Sequence, residues 1–382
     1  MSDFARYGLV HFNDVPFMLA DMSAFSPLIG PTQADSWPMA RVMAGMSAVP
    51  VGHAIDLAFF FPDEEQERHD ALVAETRRHL GGCLTAIEIG LRLGLEETPE
   101  IAAALAQWPH PVCWPTLCAQ PTLLGPALLA HMRMRGGISL MLRQFGGPDG
   151  NPGGESEAEA LFPADDPALG DALAALMLAE GRWLLTGADD QPMLPDLPAH
   201  FFSELLWTAA ASLAAIIQRS GLIEPDAVVP LVEAAAGRLL MRHDEAAGPI
   251  AAADRLVRQL GERADAPELM GAALGQRRFL LFAALAGRRL RMESGQAADI
   301  LVTGPMAHVA ALCRALGGSD ADYRHLLLAL RPVRPSLSDS AIVGEAMRYQ
   351  DLTVAQADAV MNALRAPAAL RARLDHLRRI GG

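Results

Sequence analysis

The sequence contains no lysine, so all 31 Lys+Arg positions are arginine. A GC-rich genome accounts for that bias. Aromatic residues make up only 5% of the 382 residues, and no β-branched run alternates between hairpin turns. Strands favour both, so sheet is excluded. The cysteines are Cys83, Cys113, Cys118 and Cys313. Only Cys113 and Cys118 are near neighbours, and no second pair completes a zinc set or a disulfide framework. They read as buried thiols. No G-x-G-x-x-G, G-x-x-x-x-G-K-[ST], H-E-x-x-H or G-x-S-x-G motif occurs, so no nucleotide, zinc-protease or hydrolase signature is present. Neither a cofactor nor a metal is expected.

Long apolar runs are missing as well. No stretch reaches the roughly 18 residues of a membrane span without charge or proline. The best, residues 205–217, is too short. The start, Met1-Ser2-Asp3-Phe4, lacks a basic stretch followed by an apolar one. The expectation is no signal peptide, no transmembrane segment and a cytoplasmic protein. Cations are outnumbered: 45 acidic residues leave a formal charge of −14. An acidic surface repels phosphate backbones, which argues against broad nucleic-acid binding but leaves room for a local basic patch.

What is present is alanine and leucine, the best helix formers. The chain is 51% hydrophobic and 20% charged, a globular composition. The expected fold is all-α: an irregular α-solenoid or bundle of short helix pairs in two lobes, joined by Gly/Pro turns. Residues 1–62 show no clear periodicity. A helical lobe is expected over 63–145, with helices broken at Gly81-Gly82. A Gly/Pro-rich acidic linker follows over 146–167. A C-terminal helical domain is expected over 168–382. Within it, 199–219 is apolar nearly all round and reads as central. Further helices are predicted over 250–260, 267–274, 278–290, 297–302, 306–316 and 320–330. A last amphipathic helix over 367–380 carries Leu370, Leu374 and Leu377 and reads as a terminal cap.

Several residues suggest chemistry. His79, at the end of a helix before Gly81-Gly82, faintly resembles a phospho-acceptor histidine, a role that requires an exposed imidazole. Its other reading is a helix-end histidine facing the dipole. Asp189-Asp190 reads as a solvated loop. His131 to Arg135 combines methionine and arginine, suiting an adaptable surface or a core with snorkelling cations. Arg277, Arg278, Arg288, Arg289 and Arg291 form the densest positive group. They are either solvated helix ends or a docking site for an acidic partner or phosphate. Trp207, Met241, His243 and Asp244 are candidate linings of a pocket between helices.

Three stretches carry a family resemblance. One is Leu194-Pro195-Asp196-Leu197-Pro198 with Glu204-Leu205-Leu206-Trp207-Thr208-Ala209-Ala210. Another runs from Leu274-Gly275-Gln276-Arg277-Arg278 to Phe279-Leu280-Leu281-Phe282 and on to Ala286. The third is Ile300-Leu301 and Gly304 with residues 310–316. Over residues 165–335 the chain resembles an alphaproteobacterial helical-repeat family catalogued as a domain of unknown function (DUF2336-like). Gln276 stands where relatives usually hold aspartate. The resemblance implies a helical fold, a bacterial setting and HEAT-like pairs over 63–145. It implies no activity. The expected function is a non-enzymatic helical scaffold that binds another protein, in regulation or signalling, through the arginine group. The alternatives are a helical enzyme or small-ligand binder with a pocket between helices, and a phosphorelay adaptor using His79.

Overall fold

A computed structural model describes residues 51–61, 70–145 and 166–366, together with Leu370, Arg371, Leu374 and Leu377. Residues 1–50, most of the expected linker and most of the expected last helix lie outside the described residues. Among the described residues there are 16 α-helices and no strand. They are α1 Val51–Phe60, α2 Ala71–Leu95, α3 Pro99–Ala106, α4 Cys113–Ala119, α5 Pro126–Phe145, α6 Pro167–Trp183, α7 Ala199–Ser220 and α8 Pro225–Met241. There follow α9 Pro249–Leu260, α10 Pro267–Gly275, α11 Phe279–Leu290, α12 Ser294–Val302, α13 Met306–Ala315, α14 Asp320–Leu330, α15 Asp339–Gln350 and α16 Val354–Leu364.

Two hydrophobic cores form, and they do not follow chain order. The first joins Leu80, Leu84, Ile87 and Leu91 of α2 to Phe202, Leu205 and Leu213 of α7 and Val228 and Val232 of α8. The α2 residues recur at helical spacing, so one face of α2 is buried. The second core gathers Leu176 and Trp183 of α6, Phe279 through Ala286 and Leu290 of α11, and the facing sides of α12 to α16. Helix α5 serves both: Leu128 and Met132 enter the first core, Met134, Ile138 and Met141 the second. The helices on either side of the expected 146–167 boundary therefore share a core, because α7 and α8 pack back onto α2. In a stack of repeats each unit touches only its neighbours in sequence; here α2 packs against helices well over a hundred residues away.

The helix surrounded on all sides is α11, where Phe279 through Gly287 are all buried. The more apolar α7 instead buries one face and leaves Trp207 44% exposed. It is the one described helix long and apolar enough to cross a membrane, and half of its most apolar window is buried in the protein. The helix has 22 residues, longer than its uninterrupted apolar stretch.

The expected break at Gly81-Gly82 is not there. Helix α2 runs through both glycines, starting on Asp70, whose carboxylate accepts from Leu72 N–H. Glycine in a helix costs only about 1 kcal/mol, and here close contacts repay it. A Cβ on Gly81 would lie 2.2 Å from the Asp189 carbonyl oxygen, and one on Gly82 would lie 2.8 Å from that of Gln191. The pair lets the loop after α6 lie directly on α2, where Met193 N–H donates to the Gly82 carbonyl at 2.9 Å. Gly136-Gly137 does the same inside α5. A Cβ on Gly136 would meet the Thr76 backbone nitrogen at 2.9 Å, and one on Gly137 would meet Val302 at 2.2 Å.

Helices α4, α15 and α16 were not expected. Proline hides α4, which contains Pro115. For α15 and α16 the sign was legible: Ser338 caps α15, and Thr353 with Gln356 forms a capping box at α16.

If the Gly81 position serves close packing, Gly81→Ala should destabilise the protein by about 1–3 kcal/mol. Gly344, inside α15 with open space around its Cβ position, gives the opposite sign: Gly344→Ala should stabilise by about 0.5–1 kcal/mol. Urea unfolding of both variants measures the pair, and a stabilising Gly81→Ala would contradict the packing role.

Candidate functional site

The polar residues of α2 and α5 meet where the two cores join. Glu75, Arg78 and His79 lie within two turns of α2, and Arg135 and Ser139 are one turn apart on α5, so each set shares a helix face. All five are buried, His79, Arg135 and Ser139 completely. Arg78 makes a forked contact with Glu75, its Nε at 3.1 Å from Oε2, and also donates to the Trp183 carbonyl at 2.7 Å. Ser139 Oγ donates to Glu75 at 2.6 Å. Arg135 Nε donates to His79 Nδ1 at 2.8 Å. Nε2 of the same ring lies 2.9 Å from Arg78 Nη2 and 3.3 Å from Glu75 Oε1, so neutral His79 sits between two guanidinium groups and one carboxylate.

Arg135 also reaches the loop that crosses α2. It forms an ion pair with Asp196 and stacks over the Trp183 ring, 4.6 Å from its centroid. Trp183 Nε1 in turn donates to Asp196 at 3.2 Å. Burial, together with the adjacent Arg135 and Arg78, lowers the His79 pKa to about 3, despite the raising effect of Glu75. Burial alone would raise the Glu75 carboxyl. Hydrogen bonds from His79, Arg78 and Ser139 outweigh it and hold Glu75 well below the usual carboxylate range.

Above this junction lies a cleft of about 1040 Å3. Trp183 and Asp196 form part of its floor, and His131 and Met134 of α5 part of its wall. The starts of α7, α9 and α12 open onto it at residues 198–201, 248–251 and 293–296. Gly248 and Glu293, which precede α9 and α12, give no side-chain cap. Helix starts carry unpaired N–H groups and partial positive charge. At α7 a carboxylate already occupies that position: Ala199 N–H donates to Glu245 at 3.0 Å.

The other acids of the cleft are similarly engaged. Asp254 accepts a hydrogen bond from Ser294 Oγ, and Asp299 accepts one from Thr303 Oγ1 at 2.5 Å. Burial raises the pKa of both carboxyls. The cations are less committed. Arg255 donates to the Ala246 carbonyl, and Arg288 pairs with exposed Asp265 at 3.1 Å. Arg258 is exposed and faces Asp254. Arg291 is exposed and makes no side-chain hydrogen bond or ion pair among the described residues. Its backbone sits at φ 53, at the left-handed end of α11. Glycine normally takes that position, and any other residue costs about 1–2 kcal/mol there.

The arginine group of the sequence is therefore divided. Arg277 and Arg278 precede α11, while Arg288 and Arg289 lie in its last turn and Arg291 follows it, so the two sets are about 15–20 Å apart along the 12-residue helix. Only Arg288 and Arg291 of the group line the cleft. Arg278 pairs with buried Glu180 at 3.3 Å, a carboxyl that burial pushes up to about 7. Arg277 is exposed, with φ 60. The proposed pocket residues do not converge either. Met241 is 82% exposed, His243 stacks on Phe202 and donates from Nε2 to the Leu197 carbonyl at 2.8 Å, and Asp244 caps a short 3-10 turn through Ala246 N–H. Asp189 pairs with Arg77 at 3.0 Å. Complete burial removes the exposed imidazole that a phosphorelay role for His79 requires.

Among the described residues no group of acids, histidines and cysteines could hold a metal ion. Residues 191–362 match DUF2336, an uncharacterised protein conserved in bacteria. The DUF2336 segment begins in the loop carrying Asp196 and ends in α16. It thus supplies α7 to α16, while α2, α5 and α6 lie before it. No curated protein and no solved structure matches the chain significantly. The cleft is shared between the two parts: α9, α11 and α12 come from the DUF2336 segment and α5 from outside it.

His79 carries a pH signature with a definite sign. The unfolded chain gains the imidazole proton near pH 6.5 and the folded one only near 3. The unfolded state is therefore favoured as pH falls through that window. The His79 contribution to stability should drop from pH 6.5 towards pH 4.5, against an opposite contribution from Glu180, whose folded pKa of about 7 favours the folded state in the same window. His79→Gln should lower stability at pH 7 but flatten that slope, as read by urea midpoints; an unchanged slope would contradict the neutral buried imidazole.

Proposed function

We propose that this chain is a helical scaffold that binds another protein, with the cleft between its two cores as the contact surface. One observation carries the reading: exposed arginines line a cleft whose carboxylates, exposed Glu293 apart, are already engaged within the chain. A surface with that balance favours an acidic partner through charge complementarity. The contact centres on Arg288 and Arg291 from the original arginine group, joined by Arg258. A scaffold of this kind needs no strict repeat, only a rigid groove. The cleft is also in the range of about 300–1000 Å3 that small ligands occupy, which favours a bound metabolite as the second reading.

Site-specific crosslinking in the native host separates the two. A photoreactive residue in place of Met292, which lines the cleft, should yield a protein adduct of defined mass. The same residue at Met347, exposed on α15 and outside the cleft lining, should not. Equal adducts from both positions, or none from Met292, would contradict the scaffold reading.

A further inference from the structure

Helix α5 turns Ala127, Ala130, His131 and Met134 towards the cleft. Those positions recur at helical spacing, so they form one stripe along the helix. The two alanines are exposed and leave space in front of it. His131 is the one polar side chain of the stripe. Its imidazole packs on the Phe201 ring of α7, with centroids 4.8 Å apart and planes 32° from parallel. His200 packs on the same ring at 3.9 Å. Among the described residues His131 makes that ring contact but no hydrogen bond or ion pair. The polar groups beside it are committed elsewhere: Trp183 Nε1 donates to Asp196, which also pairs with Arg135. Burial, with the nearby Arg135 and His200, lowers the His131 pKa to about 3, so the ring is neutral at pH 7. A neutral imidazole keeps one nitrogen as an acceptor. A half-buried polar group of this kind calls for a partner from outside the chain.

Going beyond the scaffold reading, and resting on the second reading of the cleft as a small-molecule site, we propose that its α5 side binds a planar aromatic molecule that carries an N–H or O–H donor. The ring occupies the space before Ala127 and Ala130, beside Phe201, and its donor meets the acceptor nitrogen of His131. Aromatic rings pair with one another in offset or edge-on contacts that aliphatic groups of the same size do not match. A few placed polar groups in an apolar wall fix the orientation of such a ligand. A ring without a donor fits the same space but leaves His131 unpaired, which costs affinity.

Saturation-transfer NMR on the full chain at pH 7 tests the subsite with three probes: indole, 1-methylindole and cyclohexanol. Indole should bind, 1-methylindole about fivefold more weakly because its donor is gone, and cyclohexanol should give no signal. His131→Phe keeps a ring on Phe201 but removes the acceptor, so it should bind the two indoles equally. Ala130→Leu fills the space in front of α5 from an exposed helix position. It should lose both indoles while its urea midpoint stays near that of the parent chain. No binding of indole, equal binding of the two indoles by the parent chain, or binding unchanged in Ala130→Leu overturns the subsite. A protein adduct at Met292 alongside failed indole binding would leave the scaffold reading standing and sink this one. Donor-dependent indole binding with no adduct at Met292 would do the reverse.

Discussion

One buried polar junction fixes how the two cores meet. Arg135 sits fully buried between α2, α5 and the loop after α6, where it touches His79, Asp196 and the Trp183 ring. A buried charge is tolerable only when paired and hydrogen-bonded. Arg135 meets that demand by drawing on three separate segments, so it is satisfied only when all three are in place. Glu75 imposes the same condition from α2, through Arg78, His79 and Ser139. Apolar contacts alone would let the helices slide; a satisfied polar network selects one register.

The glycine pairs serve that junction. Gly81 and Gly82 allow the 187–193 loop to lie on α2, and that loop delivers Asp196 to Arg135. Gly136 brings α5 within backbone distance of Thr76 on α2, next to Glu75 and one turn before His79. Removing side chains at these points allows the close approach that polar contacts of about 3 Å require. The cleft follows from the same arrangement. Its floor is the outer side of the junction, and its walls are the helix starts that the two cores turn towards one another.

Much of the helical content could be read from the chain. Alanine and leucine abundance and the apolar run over 199–219 carried through to a helix at α7, Ala199–Ser220. The family resemblance also carried through, over a DUF2336 segment that runs from residue 191 to 362. What the sequence hid was long-range. Gly81-Gly82 looks identical whether it breaks a helix or admits a crossing loop, because the difference lies in Asp189 and Gln191, about a hundred residues on. His79 therefore read as a helix end, although it is a core residue in mid-helix. The polar spacing Glu75, Arg78, His79 on an otherwise apolar face was the available sign of a buried network. The partners of the arginine group were long-range as well: its members at the two ends of α11 lie a helix length apart, whereas Arg258 and Arg291, distant in sequence, line the same cleft.

The dependence of both cores on one junction is tested most directly by native-state hydrogen exchange on Asp196→Asn. That change removes the carboxylate charge facing Arg135 with almost no change in shape. Amides around residues 79–83 of α2, residues 135–139 of α5 and the 187–196 loop should then lose protection together, because they open as one unit. Faster exchange confined to the 187–196 loop, with α2 and α5 unchanged, would contradict the account.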